Sequence, residues 1–149
     1  MKPRTNQPTQ KAMKNNKRNY LFLFAALALI VVAVAAQART ERHYRATAAQ
    51  HINLTVDSID FRSDLTRVYG KLVGRPHTSQ RIDEAMIHIG QASFQARDID
   101  GVDFKRWFQW EEDGNIPVEI DFRQMTPFQS AVIELQTPRG TDRIEISNK

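Results

Sequence analysis

Two hydrophobic patterns divide the chain. Residues 20–36 form one continuous apolar run, YLFLFAALALIVVAVAA, whereas from residue 51 onward apolar and polar residues alternate in short segments. A continuous run of this length is typical of a membrane-spanning helix or of the core of a signal peptide. Alternation with a period of two is typical of half-buried β-strands. The patterning therefore predicts an N-terminal hydrophobic segment followed by an all-β domain.

The alternating segments recur about every ten residues, and turn residues separate them. They lie at residues 52–56, 66–73, 84–89, 92–97, 104–110, 116–122, 131–135 and 144–146. Hairpins are predicted at Gly90-Gln91, at Asp113-Gly114 and at residues 137–140. We predict an antiparallel β-sandwich of about eight strands, immunoglobulin-like in architecture, behind a single N-terminal transmembrane helix. A small β-barrel fits the same strand count and is the alternative.

The charges divide around the apolar run. Six Lys or Arg and no acidic residue precede it, whereas 15 Lys or Arg and 17 Asp or Glu follow residue 38. Such an asymmetry places the basic side of a span in the cytosol. We predict a disordered cytosolic leader at 1–19, a membrane segment at 20–38, a polar stalk at 39–50 and an extracytoplasmic domain at 51–149. The basic balance reports topology, so we predict no nucleic-acid partner.

Two interpretations of residues 20–38 are open. A single-pass anchor in the cell membrane is favoured, because the leader and the apolar run are both longer than in most signal peptides. This anchor makes the lipid bilayer the first predicted partner. Ala36-Gln37-Ala38 resembles a signal peptidase site, however. Cleavage after Ala38 would release a secreted or periplasmic protein, and both interpretations place the domain outside the cytoplasm.

No catalytic signature is present. The chain has no Cys, it lacks the G-x-S-x-G motif, and its four His lack the spacing of a zinc site. We predict no enzyme, no cofactor and no metal. Asp98, Asp100 and Asp103 are weak calcium candidates, since their spacing does not match an EF-hand loop. A turn in which Asp caps its own backbone and Gly101 supplies a positive φ accounts for the same residues.

An aromatic run carries the candidate binding surface. Within residues 104–110, strict alternation places Trp107 on the same face as Lys105 and Gln109. A Trp at such a position is more often covered by a loop, but an exposed one suits a protein hot spot or a sugar platform. The loop at residues 74–81 is the most basic connection of the domain. The full candidate set is Lys105, Trp107, Gln109, Tyr69, Arg75, His77 and Arg81.

The predicted function follows from topology and from the lack of a catalytic motif. We expect a non-enzymatic, membrane-anchored accessory or interaction subunit whose partner is another protein of the cell envelope. The alternative is a secreted or surface module that binds a glycan or another ligand through exposed aromatics, Trp107 and Tyr69.

Overall fold

The computed structural model describes residues 38–148, and this part of the chain is all β. It contains twelve strands and no helix, and its strand pairs are antiparallel. The all-β, antiparallel prediction is therefore confirmed. The strands are β1 (Arg39–Arg42), β2 (Tyr44–Ala46), β3 (Asn53–Phe61), β4 (Leu65–Val73), β5 (Ser79–Arg81), β6 (Glu84–Ile89), β7 (Ala92–Gln95), β8 (Asp98–Asp100), β9 (Trp107–Gln109), β10 (Asn115–Arg123), β11 (Ser130–Thr137) and β12 (Gly140–Asn148).

Three sheets organise these strands. Sheet A has the order β1-β3-β4-β10-β8, sheet B the order β2-β12-β11-β6-β7, and a small sheet consists of β5 and β9. The prediction of about eight strands is too low. The strands absent from the prediction, β1, β2, β5 and β8, have only three or four residues each, too few to show a clear alternation.

The segment predicted as a stalk, residues 39–50, belongs to the domain instead. β1 pairs with β3 in sheet A, and β2 pairs with β12 in sheet B. His43, between the two strands, has a φ of 68°. Glu41 and Tyr44 are buried, and the Tyr44 hydroxyl donates to the Glu41 carboxylate at 2.7 Å. The prediction was wrong because an edge strand with a buried polar pair shows no apolar alternation.

Two of the three predicted hairpins are confirmed. β6 and β7 flank Gly90, whose φ is 58°, and β11 and β12 flank residues 138–139. The hairpin across Asp113-Gly114 is wrong, because β9 pairs with β5 and β10 pairs with β4 and β8. The turn itself exists: Gly114 has a φ of 63° and its carbonyl accepts the Gly74 amide at 2.9 Å. A turn signal is local and does not decide which strands pair.

The hydrophobic core draws on both five-stranded sheets. Alternation on β10 is as predicted, since Val118, Ile120 and Phe122 are buried and Glu119 and Asp121 lie on the other face. The same core cluster contains side chains from β6, β11 and β12, namely Ala85, Ile87, Ala131, Ile133, Leu135, Ile144 and Ile146. Both large sheets therefore contribute side chains to one core.

The predicted leader at 1–19 and all but the last residue of the predicted membrane segment at 20–38 lie outside the described residues. Within residues 38–148 there is no helix long and apolar enough to cross a membrane.

Candidate functional site

The small sheet brings two of the predicted candidate segments together. β5 and β9 pair so that Arg81 lies opposite Trp107 and Ser79 opposite Gln109. Beyond the strands, the Trp110 amide donates to the Thr78 carbonyl at 2.9 Å. The loop at 74–81 and the run at 104–110 are therefore hydrogen-bonded neighbours, although about 25 residues of chain separate them.

Trp107 is the large hydrophobic side chain that stands out at the surface of the described part. It is 57% exposed, and no loop covers it. The Arg81 guanidinium lies 5.4 Å from the centre of its ring. Arg81 is itself held by two hydrogen bonds to Asp83, of 2.7 and 3.2 Å. The result is a cation–π pair whose arginine is already oriented by a carboxylate.

The opposite face of β9 is anchored in the core. Phe108 is half-buried and meets buried Trp110 edge to face, with ring centres 5.2 Å apart. Gly74 lies under Trp110, where a Cβ atom would come within 2.1 Å of the indole ring. The orientation of Trp107 is therefore set by two inward aromatics on the same run, as the alternation predicts.

Lys105 is close to this surface but not part of the strand. It is exposed, has a φ of 64°, and its amide donates to the Ile82 carbonyl at 2.8 Å. This left-handed residue lies before β9 begins. The strict alternation assumed for residues 104–110 therefore does not extend back to Lys105.

An acidic turn lies beside the basic loop. Glu111, Glu112 and Asp113 are exposed, and together with His77, Gln109 and Trp110 they line an open depression of about 600 Å³. Arg75 and His77 are exposed as well, and His77 has a φ of 58°. The loop that the sequence analysis identifies as the most basic connection of the domain is thus part of a surface of mixed charge.

Tyr69 lies elsewhere, on β4 of sheet A. Its hydroxyl accepts a hydrogen bond from Arg62 at 2.9 Å. Next to it, Arg67 binds both oxygens of Asp121 at 2.6 and 2.7 Å, and these hydrogen bonds raise the pKa of the Arg67 guanidinium further. Tyr69 is therefore engaged in a network of charged side chains, and it is not paired with Trp107 as one platform.

The three calcium candidates are spread along β8 and the turn after it. The carboxylates of Asp98 and Asp100 each accept the amide of the next residue, at 3.0 and 2.9 Å, and Gly101 has a φ of 96°. Asp103 faces Arg106 at 3.3 Å. In residues 38–148 no three His, Asp or Glu side chains are grouped so as to hold a metal ion. The turn explanation accounts for these positions.

Two polar clusters were not found from the sequence. Asp142 is buried and accepts the amides of Gln50, His51 and Ile52 at 3.1, 3.0 and 2.8 Å. No local signal could reveal it, because these partners are about 90 residues away in the chain.

The second cluster is a row of cross-strand side chains on sheet B. Ser93 Oγ lies 2.7 Å from His88 Nδ1, and His88 Nε2 lies 3.3 Å from a Glu134 carboxylate oxygen. His88 is one of the four His whose spacing does not indicate a zinc site. The reversal at Gly90-Gln91 did hold a signal, because the register it implies places Ser93 opposite His88.

Comparison with known proteins gave no match: no family model fits the chain, and no curated protein or solved structure is detectably similar to it. Pairing, burial and exposure of the described residues are therefore the basis for a functional proposal.

Proposed function

We propose that this protein is a non-enzymatic interaction subunit of the cell envelope. A single hydrophobic segment at residues 20–38 holds it in the membrane, and the β domain stands outside the cytoplasm. The basic leader before the apolar run supports this topology. Release by cleavage after Ala38 is the alternative. The intact mass of the protein from native membranes decides between them, since an anchored chain retains residues 1–38 and a released one begins at Arg39.

We further propose that sheets A and B pack face to face as an immunoglobulin-like β-sandwich. Two antiparallel five-stranded sheets and one core with side chains from both support this arrangement. Consecutive strands β1 and β2 join different sheets, so each sheet gains an edge strand from one segment. A small closed barrel is the alternative, but it would have to join the edges of the two sheets by backbone hydrogen bonds.

The observation that carries the interaction function is the exposed Trp107. If a partner covers the 57% of this residue that is exposed, about 140 Å² of about 250 Å² leaves water, a gross transfer free energy of roughly 3.5 kcal/mol from which the costs of association are subtracted. Trp and Arg are the residue types most enriched at binding hot spots. Here Arg81 is already oriented by Asp83, which lowers the cost of ordering it on binding.

Crosslinking in native membranes tests this function. We expect Trp107→Ala to lose the crosslinked complex that the unaltered protein forms with its envelope partner. Phe94→Ala is the matched control, because Phe94 belongs to a second arginine–aromatic pair, with Arg123 at 5.5 Å. Circular dichroism of both variants checks that each is folded. A complex that persists in Trp107→Ala at the level of the control contradicts the proposal.

A glycan-binding module is the second candidate, and the exposed ring of Trp107 favours it as well. Arg81 occupies one face of that ring, so a sugar would stack on the other face. Trp107→Phe leaves buried Trp110 as the remaining tryptophan, which separates the two fluorescence signals. We expect iodide to quench the Trp107 component and sugars to leave it unchanged. A sugar-induced shift that disappears in Trp107→Phe would support the glycan module instead.

A further inference from the structure

The outer edge of β9 has backbone groups that β5 does not use. Hydrogen-bonded and non-hydrogen-bonded residue pairs alternate along an antiparallel ladder. The Trp110 amide bonds to the Thr78 carbonyl, so the next hydrogen-bonded pair along the ladder is Phe108 with Gln80. The amides and carbonyls of Trp107 and Gln109 therefore point away from β5. No turn or loop hydrogen bond within residues 38–148 engages these four groups.

The edge of β9 differs from the edges of β1, β7 and β8. β1 presents Arg39 and Arg42, and β8 presents Asp98 and Asp100, all exposed charges. Charged residues on an edge strand discourage the addition of a further strand. β7 is uncharged, but its aromatic residue, Phe94, is half-buried. β9 combines an uncharged edge with an exposed tryptophan.

We propose that the edge of β9 accepts an extended segment of the partner protein as an added β-strand. Main-chain hydrogen bonds to Trp107 and Gln109 would provide register and affinity, and the Trp107 ring would cover a side chain of the segment. This inference rests on the proposed interaction function and specifies how the partner is held.

Charge complementarity indicates which segment fits. Residues 111–113 follow β9 directly, and all three are exposed acids that line the depression next to Gln109. Of the cations nearby, Arg81 is paired with Asp83. Arg106 pairs with an aspartate as well. An added strand that continues past Gln109 meets these three acids against the one exposed arginine of the adjacent loop, Arg75, so the local charge is net negative and the bound segment carries Lys or Arg at that end.

Synthetic peptides test strand addition on the full-length protein in detergent. The probe is a labelled nine-residue peptide of alternating Thr and Val with two Lys at one end, compared with a version ending in two Glu. We expect fluorescence anisotropy to show binding of the Lys peptide and binding at least tenfold weaker of the Glu peptide. Methylation of alternate backbone nitrogens of the Lys peptide removes its donors and should abolish binding.

A matched pair of proline variants tests the edge itself. Gln109→Pro removes one outward amide of β9 and should weaken binding about 3- to 10-fold, the usual value of one hydrogen bond. Gln95→Pro is the control on β7. Gln95 is also exposed, also follows a Phe, and its amide also points outward, because the Ala96 amide bonds to the Ala85 carbonyl. We expect Gln95→Pro to bind like the unaltered protein.

Hydrogen exchange keeps the test valid if Gln109→Pro misfolds. In the unaltered protein, the amides of Trp107 and Gln109 should exchange fast alone and slow down when the Lys peptide binds. Any of three results overturns strand addition. These are no binding of the Lys peptide up to about 1 mM, equal binding of the methylated peptide, and no change in the exchange rates of these two amides. If Trp107→Ala still disrupts the native complex in that case, the partner contacts the ring alone and the interaction function stands.

Discussion

Replacing Asp142 should destabilise the domain more than replacing any exposed aspartate. Its carboxylate is 2% exposed and accepts three backbone amides, and His51 Nδ1 lies 3.1 Å away. Asp142→Ala leaves these donors without an acceptor at the junction of residues 50–52 with β12. An unsatisfied buried donor costs about 1–3 kcal/mol, and part of this junction is solvated, so we expect a loss of roughly 3–5 kcal/mol.

Asp100→Ala is the matched control, because Asp100 is exposed and accepts one amide. We expect it to cost less than about 1 kcal/mol. Urea unfolding followed by tryptophan fluorescence measures both. With a slope of about 1.5 kcal/mol per M, Asp142→Ala should lower the midpoint by roughly 2–3 M. A shift equal to that of Asp100→Ala would show that solvent replaces the lost acceptor and would refute this account of the junction.

Three other positions give separate tests. Gly74→Ala should cost roughly 1–3 kcal/mol, because its Cβ would come within 2.1 Å of the Trp110 ring; thermal unfolding measures this, and an unchanged midpoint would mean that the indole moves aside freely. If the protein is not an enzyme, a fluorophosphonate probe should not label Ser93. Labelling that is lost in the Ser93→Ala variant would contradict the proposed non-enzymatic function. Hydrogen bonds from Thr40 and Arg62 lower the pKa of Asp60, so its stabilisation is present above the ordinary Asp pKa of about 3.9 and is lost as the pH falls through the lowered value. Asp60→Asn should therefore make stability depend less on pH on the acid side. An unchanged dependence of stability on pH would contradict a stabilising role of the Asp60 carboxylate.

Local patterning was sufficient for much of the fold. Alternation identified the long strands, including β10 with its buried Val118, Ile120 and Phe122. The turn residues located the hairpins of β6 with β7 and of β11 with β12. These features depend on side-chain direction and backbone conformation over a few neighbouring residues, and such information is present in the sequence itself.

Prediction of the candidate site was less complete. Alternation correctly put Trp107 on the face opposite Phe108, but exposure of Trp107 depends on which other segments lie nearby. Lys105 departs from the pattern because its φ is positive. Tyr69 was grouped with Trp107 as a candidate aromatic platform, yet its strand places it in a charged network on sheet A.

By itself, the sequence determined that a hydrophobic N-terminal run precedes an all-β, antiparallel domain, because period and turn chemistry are local properties. Only the tertiary structure decided that residues 39–46 close one edge of each large sheet, that β9 pairs with β5 and not with β10, and that Asp142 holds residues about 90 positions earlier. These outcomes depend on which distant surfaces bury each other and which backbone groups remain to be paired. Residues that are neighbours in the sequence determine neither the burial of distant surfaces nor the pairing of the remaining backbone groups.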